Sequence, residues 1–332
     1  MDALANRRLV TAVAVVIATS LSLLAVGGSA AHAAAYRTTN FVVQASTPAL
    51  AREIGDEAER LRRELSIDWL GEPMPDWPKP CPISARVSPT LGAGGATSFI
   101  FDRGEVFGWE MNIQGSRQRV LDSVLPHEIT HTVFACHFRQ PLPRWADEGA
   151  CTTVEHPAEI RKQERMLIRF LKTGKGIPFS QMFRMKDYPA DVLPLYSQGH
   201  SLATFLIERR GKKAYLEFVA AGLEREQWVD AVREHYGHND LYDLQTKWLA
   251  WVEQGRPRLA LESPPAGSGV TLASNTVPVS PRKSPADVTP MSPNPPATQG
   301  PGSVYTAMAE AARASSGKPV YDASRVSGTV WR

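Results

Sequence analysis

The sequence predicts an α+β fold, with a small N-terminal mixed sheet and its helices followed by a mainly helical C-terminal half. Three observations carry this. Between Cys81 and Ile113 the chain is rich in β-branched and aromatic residues punctuated by glycine, and from about Leu121 the apolar spacing becomes helical. A mixed N-terminal half is also followed by a helical half, rather than βαβ units alternating along the chain. With 332 residues, 43% of them apolar, the chain can bury a sizeable core, but its 26 prolines are unevenly spread and mark a tail.

At the start, Arg7 and Arg8 precede an apolar stretch from about Leu9 to Val26, and small residues follow to Ala31-His32-Ala33. This reads as a secretory signal peptide over residues 1–33, cut after Ala33 or, in a second register, after Ala35. The apolar run is also near the length that spans a bilayer, so an uncleaved anchor is the alternative. Either way the body is expected to be exported, to a periplasm, a cell envelope or the extracellular space, and membrane contact is expected only through such an anchor.

Asn40-Phe41-Val42-Val43-Gln44 reads as a short strand. Thr47-Pro48 then supplies a cap and an N1 proline for a helix to about Leu65, whose apolar positions (Leu50, Ile54, Ala58, Leu61, Leu65) make one buried stripe. The 81–113 stretch reads as strands with a hairpin near Asp102-Arg103-Gly104. Helices are expected near 121–138, 145–155, 158–172, 197–210, 212–221, 225–236 and 240–254, most of them closed by Gly174, Gly211, Gly222, Gly237 or Gly255. Residues 36–255 therefore form the folded domain. Residues 256–332, rich in Pro, Ser, Ala and Thr, bury too little apolar surface to offset their ordering entropy and are expected to be disordered.

The 37 basic and 34 acidic residues leave a formal charge of +3, too weak a field to make nucleic acid an expected partner. Cys81, Cys136 and Cys151 are expected in a compartment where disulfides persist; an odd count permits one bridge and leaves at least one thiol outside it or paired between chains.

The chemistry is carried by His127-Glu128-Ile129-Thr130-His131, an H-E-x-x-H arrangement. Two histidines four apart on a helix lie about 40° apart in projection and about 6 Å apart along the axis, so both imidazoles can reach one cation. Zinc suits such donors, and the glutamate between them is placed as a base toward water in an open fourth position. Pro126 fits this helix if Ser123 is its cap, which would put the proline at N3; otherwise it kinks the helix.

A third ligand is needed, and Pro143-Arg144-Trp145-Ala146-Asp147-Glu148-Gly149 supplies a carboxylate seventeen positions beyond His131. H-E-x-x-H with a downstream Trp-x-x-Glu-Gly resembles the gluzincin superfamily, which includes thermolysin-like proteases and zinc aminopeptidases. The whole chain is similar to bacterial exported peptidase-like proteins of that shape, with motif support over roughly residues 95–210. The resemblance implies a zincin-like metallopeptidase domain and one zinc ion held by His127, His131 and Glu148, with Glu148 on a helix antiparallel to the first. It further implies peptide or protein substrates, with Glu128 as base and proton shuttle and an oxyanion donor at Tyr196 or His200. Asp147 is a candidate to orient a ligand histidine, with Asp122 and Glu155 open for the same duty.

The resemblance also implies an edge strand for substrate, within Ala96 to Phe101 or Val106 to Ile113. Gly108-Trp109-Glu110-Met111-Asn112 is similar to the Gly-x-Met-Glu-Asn element of the aminopeptidases, but Glu and Met are exchanged, and one residue on a strand reverses the face a side chain takes. On antiparallel helices Cys136 and Cys151 would diverge by about 12 Å, so a bridge would need Cys81.

The reaction implied is hydrolysis of a peptide bond by metal-activated water, without a covalent enzyme intermediate. Ser197 and Ser201 lie near His200, but no G-x-S-x-G elbow is present to make either a nucleophile. The competing reading is a non-catalytic, metal-binding envelope protein that holds a partner through its helical half or its tail. Intact Glu128 argues against it, since a structural zinc needs no base.

Overall fold

The computed structural model of the protein describes residues 34–185 and 187–263. The expected signal peptide over residues 1–33, and the expected disordered tail from 264 onward, lie outside these. The fold is α+β: a five-stranded mixed sheet of order β1-β2-β3-β5-β4, followed by helices. The strands are β1 (Ala34–Arg37), β2 (Phe41–Ala45), β3 (Cys81–Val87), β4 (Gly94–Asp102) and β5 (Glu105–Gly115). β2, β3 and β5 run parallel, while β1 and β4 pair antiparallel at the two edges. Strict alternation explains the layer: Cys81, Ile83, Thr97, Phe99, Met111 and Ile113 are buried, whereas their neighbours Pro82, Ser84, Glu110 and others point to the solvated face. Arg103 and Gly104, both at positive φ (49° and 77°), make the two-residue turn expected between β4 and β5.

α1 (Pro48–Leu70) starts as its sequence indicates, with Thr47 Oγ1 accepting from Leu50 N and Pro48 in the first turn. It outruns the expected end because Trp69 continues the buried stripe, edge-on to Phe134; Gly71, at φ 86°, then stops it.

The approach to the next long helix departs from expectation. Ser116, not Ser123, is the cap, accepting from Arg119 N before α2 (Arg117–Arg119). A π-helical turn over Val120–Val124 follows, closed by Leu125 N donating to Val120 O, and α3 (Leu125–Phe138) continues from it. The extra residue in that turn shifts the hydrogen-bond ladder where Pro126 lacks a donor, so the proline is absorbed by the wide turn. Ser123 is instead buried, donating to Asp122 Oδ1 and accepting from His156 N.

Beyond α3 come α4 (Arg144–Thr152), α5 (Pro157–Lys172), α6 (Phe179–Met182), α7 (Leu193–Arg225), α8 (Trp228–Tyr236) and α9 (Leu241–Glu253). α7 is broken at Gly211 (φ 81°, ψ 168°), where one helix was expected to end and another to begin. Gly222 is not a helix end: α7 runs past it, and a Cβ there would come within 2.7 Å of Trp228 Cη2, so this glycine makes room for the indole. The same packing logic brings α4 onto α7. A Cβ on Gly149 would lie 2.5 Å from the Gly199 carbonyl carbon, and one on Gly199 2.7 Å from Trp145 O. Trp145 itself is fully buried among Phe183, Phe218 and Trp228, which anchors the start of α4.

The packed chain also extends past Gly255 into the expected tail. Arg256 pairs with Glu164, Leu259 N donates to Glu208, and Glu262 is bound through its amide and carboxylate to Arg209. All three cysteines are free thiols, so the possible bridge through Cys81 is not formed: Cys81 lies buried in β3, Cys136 accepts from Trp77 Nε1 at 3.4 Å, and Cys151 is buried in α4. No helix among the described residues is long and apolar enough to cross a membrane.

Candidate metal centre

One turn of α3 and two turns of α4 build the site. His127, Glu128 and His131 are buried on α3, with the two imidazole centroids 4.9 Å apart. α4 contributes Asp147, Glu148 and Cys151, and Glu155 follows its last turn. Each histidine has its Nδ1 on a carboxylate: His127 on Glu155 Oε1 at 2.7 Å, His131 on Asp147 Oδ1 at 2.8 Å. Their Nε2 atoms therefore face the other way, and both face Glu148 Oε2, at 3.3 and 3.7 Å. Adjacent residues on a helix point about 100° apart, which lets Asp147 and Glu148 approach opposite nitrogens of one ring. Of the candidates for orienting a ligand histidine, Asp147 and Glu155 are in place and Asp122 is engaged with Ser123.

The charges are tightly linked. Burial opposes protonation of His127, but its hydrogen bonds to Glu148 and Glu155 outweigh this and push its pKa up to about 9. His131 is raised in the same way against burial, chiefly by the charge of Asp147. Burial alone would raise Glu148, yet the facing His131 and His127 hold it well below the usual carboxylate range. Glu155, with only His127 to offset its desolvation, is raised to about 7. The two imidazoles and the carboxylates around them thus form one coupled buried cluster.

Glu128 meets β4. Its Oε2 accepts a 2.6 Å hydrogen bond from Thr97 Oγ1, and a Cβ on Gly95 would come within 2.7 Å of its Cγ. A glycine at 95 and a threonine at 97, both on the edge strand and facing inward, thus make a cradle for this carboxylate. Desolvation raises its pKa.

The expected oxyanion donors part company. Tyr196 is buried beside Tyr188, ring planes 10° apart, with its hydroxyl linked to Tyr188 and Glu148. His200 is buried in the α4–α7 contact, hydrogen-bonded to the Gly149 backbone, and burial next to Arg256 lowers its pKa to about 4. No hydrogen bond among the described residues joins it to the histidine–carboxylate cluster. Its neighbours are structural too: Ser197 donates to Gln163 and Ser201 accepts from Trp248. Glu110 lies on the solvated face of β5, opposite the buried Met111, so it does not reach the site and the aminopeptidase-like clamp is absent.

Sequence reasoning missed Tyr188, which donates to Glu148 Oε1, and Arg144, which donates to the Tyr188 hydroxyl at 3.1 Å. Tyr188 sits in an irregular connection between α6 and α7, where periodicity carries no signal. Thr97 was equally hidden, since its importance depends on which strand meets α3.

No protein-family model matches the sequence, and no curated protein is significantly similar to it. The candidate metal centre therefore rests on its own geometry. A buried group of His127, His131 and Cys151 could hold a metal ion, each offering a donor atom within 4.8 Å of the others. Cys151 approaches on the Nδ1 side of His131, 3.4 Å from that nitrogen, where Asp147 already sits, and burial pushes its thiol pKa upward. The Nε2 side offers a different donor set, completed by Glu148. A tetrahedral ion with bonds of about 2.0–2.1 Å separates its donors by about 3.3 Å; on that side Glu148 Oε2 lies at that distance from His127 Nε2 and about 0.4 Å beyond it from His131 Nε2, at 3.3 and 3.7 Å.

Proposed function

We propose that this chain is an exported zinc metallopeptidase in which His127, His131 and Glu148 hold the ion and Glu128 is the general base. The observation that carries the reading is the convergence of both Nε2 atoms on Glu148 Oε2 while each Nδ1 is taken by its own carboxylate. Histidine ligands are typically fixed in tautomer and orientation by such partners. The carboxylate set is preferred to the thiol set because the Nδ1 face of His131 is already committed to Asp147.

Zinc, when bound, supplies Lewis acidity toward a scissile carbonyl and toward water. Glu128, next to the first ligand and desolvated, accepts the proton of the attacking water and delivers it to the leaving amine. Thr97 and Gly95 fix the carboxylate for this transfer. Tyr196, whose hydroxyl is linked to Glu148, is favoured over His200 as oxyanion donor because His200 is committed to the helix contact.

Elemental analysis of the purified wild type and of His131→Ala tests the metal assignment. One zinc per chain, lost in the variant, is expected, together with hydrolysis of a peptide library by the wild type. Absence of bound metal after zinc is supplied would refute the reading.

A further inference from the structure

The proposed ligand set leaves one oxygen of Glu148 turned from the histidines, and that oxygen is held. Oε2 faces the two Nε2 atoms, whereas Oε1 accepts a hydrogen bond from Tyr188 OH. Tyr188 is itself braced: Arg144 Nη1 donates to its hydroxyl at 3.1 Å, and the guanidinium lies 4.3 Å from its ring centroid. Arg144 stands one turn before Glu148 on α4, so brace and carboxylate ride on one rigid element.

A carboxylate can meet a metal through one oxygen or through both. A catalytic zinc site uses three protein donors and leaves the fourth position to water or substrate, and a second oxygen from Glu148 would enter beside it as a fifth donor and crowd it. We infer that Tyr188, braced by Arg144, is a positioning residue that withholds Glu148 Oε1 from the metal and so keeps the fourth position uncrowded. This rests on the reading of Glu148 as third ligand. A hydrogen bond to an ionised oxygen is about twice as strong as a neutral one, and a donor already engaged by Arg144 cannot swing away freely. Simple packing of the tyrosine ring would be satisfied equally by phenylalanine, which is how the two roles are separated.

Cobalt(II) is the probe, because it accepts the same donors and absorbs visible light more strongly when four-coordinate than when five-coordinate. The full chain is loaded with cobalt as wild type, Tyr188→Phe, Arg144→Gln and Glu148→Gln. Tyr188→Phe is expected to bind one cobalt per chain with its visible absorption reduced roughly two-fold as the second oxygen enters. Arg144→Gln is expected to show the same change in smaller degree. A Tyr188→Phe spectrum superimposable on the wild type overturns the inference, and if that variant fails to fold, the Arg144→Gln spectrum decides in its place. Cobalt binding unaltered in affinity and spectrum by Glu148→Gln, or no cobalt binding by the wild type, overturns the ligand reading itself and the inference with it.

Discussion

Gly149→Ala is expected to perturb the candidate metal centre without touching any of its proposed donor atoms. The new Cβ would sit 2.5 Å from the Gly199 carbonyl carbon, closer still to its oxygen, and 3.1 Å from His200 N. All three are backbone atoms, so no rotamer change relieves the clash, and α4 must move from α7 by about 1 Å to regain an ordinary 3.4 Å contact. Overpacking of this kind costs about 1–3 kcal/mol. For a domain of this size that lowers Tm by roughly 2–10 °C. Glu148 precedes Gly149 and moves with α4, so the 3.3 and 3.7 Å spacings to the histidines open, and zinc affinity is expected to fall about 10–100-fold. Thermal unfolding and competition with a chromophoric chelator measure the two effects. Gly176→Ala is the control, because its Cβ would meet only side-chain ends, Leu171 Cδ2 at 3.0 Å and Gln198 Oε1 at 3.9 Å. A Gly149→Ala protein with wild-type Tm and zinc affinity would refute the claim that the α4–α7 crossing sets the position of Glu148.

Glu128→Gln should keep zinc stoichiometry unchanged and lower peptide hydrolysis by about 10²–10⁴-fold; unchanged hydrolysis removes Glu128 from the mechanism. His200 has a folded pKa of about 4, against about 6.5 when unfolded, so below pH 6.5 the unfolded chain binds a proton that the folded chain does not. Metal-free protein should therefore lose up to about 3 kcal/mol of this contribution between pH 6.5 and 4, measured by urea unfolding, and His200→Gln should lack that part of the slope; equal slopes would disprove the assignment. Alkylation under denaturing, non-reducing conditions should find three reactive thiols per chain by mass, and only one would show that a disulfide forms after all.

What the sequence determined by itself is what a single element can encode. The H-E-x-x-H spacing places two imidazoles on one side of any helix, Thr47-Pro48 caps α1 locally, and Arg103-Gly104 turns the β4–β5 hairpin, each through contacts between residues a few positions apart. The mixed N-terminal half and the helical half after it were legible for the same reason, and so was the break at Gly211. Where two local solutions competed, the sequence was ambiguous: Ser116 and Ser123 are both plausible caps, and the π-helical turn that accommodates Pro126 has no composition of its own.

Tertiary structure decided the rest, because it set distances between residues far apart in the chain. That Glu155 serves His127 and Asp147 serves His131 depends on how α4 lies against α3. Thr97 reaches Glu128 because β4, rather than β5, forms the sheet edge over α3, and that same topology leaves Glu110 on the solvated face. Tyr188 comes from a connection with no pattern to read, and Gly149 and Gly199 look like ordinary helix glycines until two backbones meet at them. Candidate donor types are written in residue identity and spacing; the hold on Glu148 Oε1, the carboxylates on the two Nδ1 atoms and the cradle of Glu128 arise only when separate elements pack.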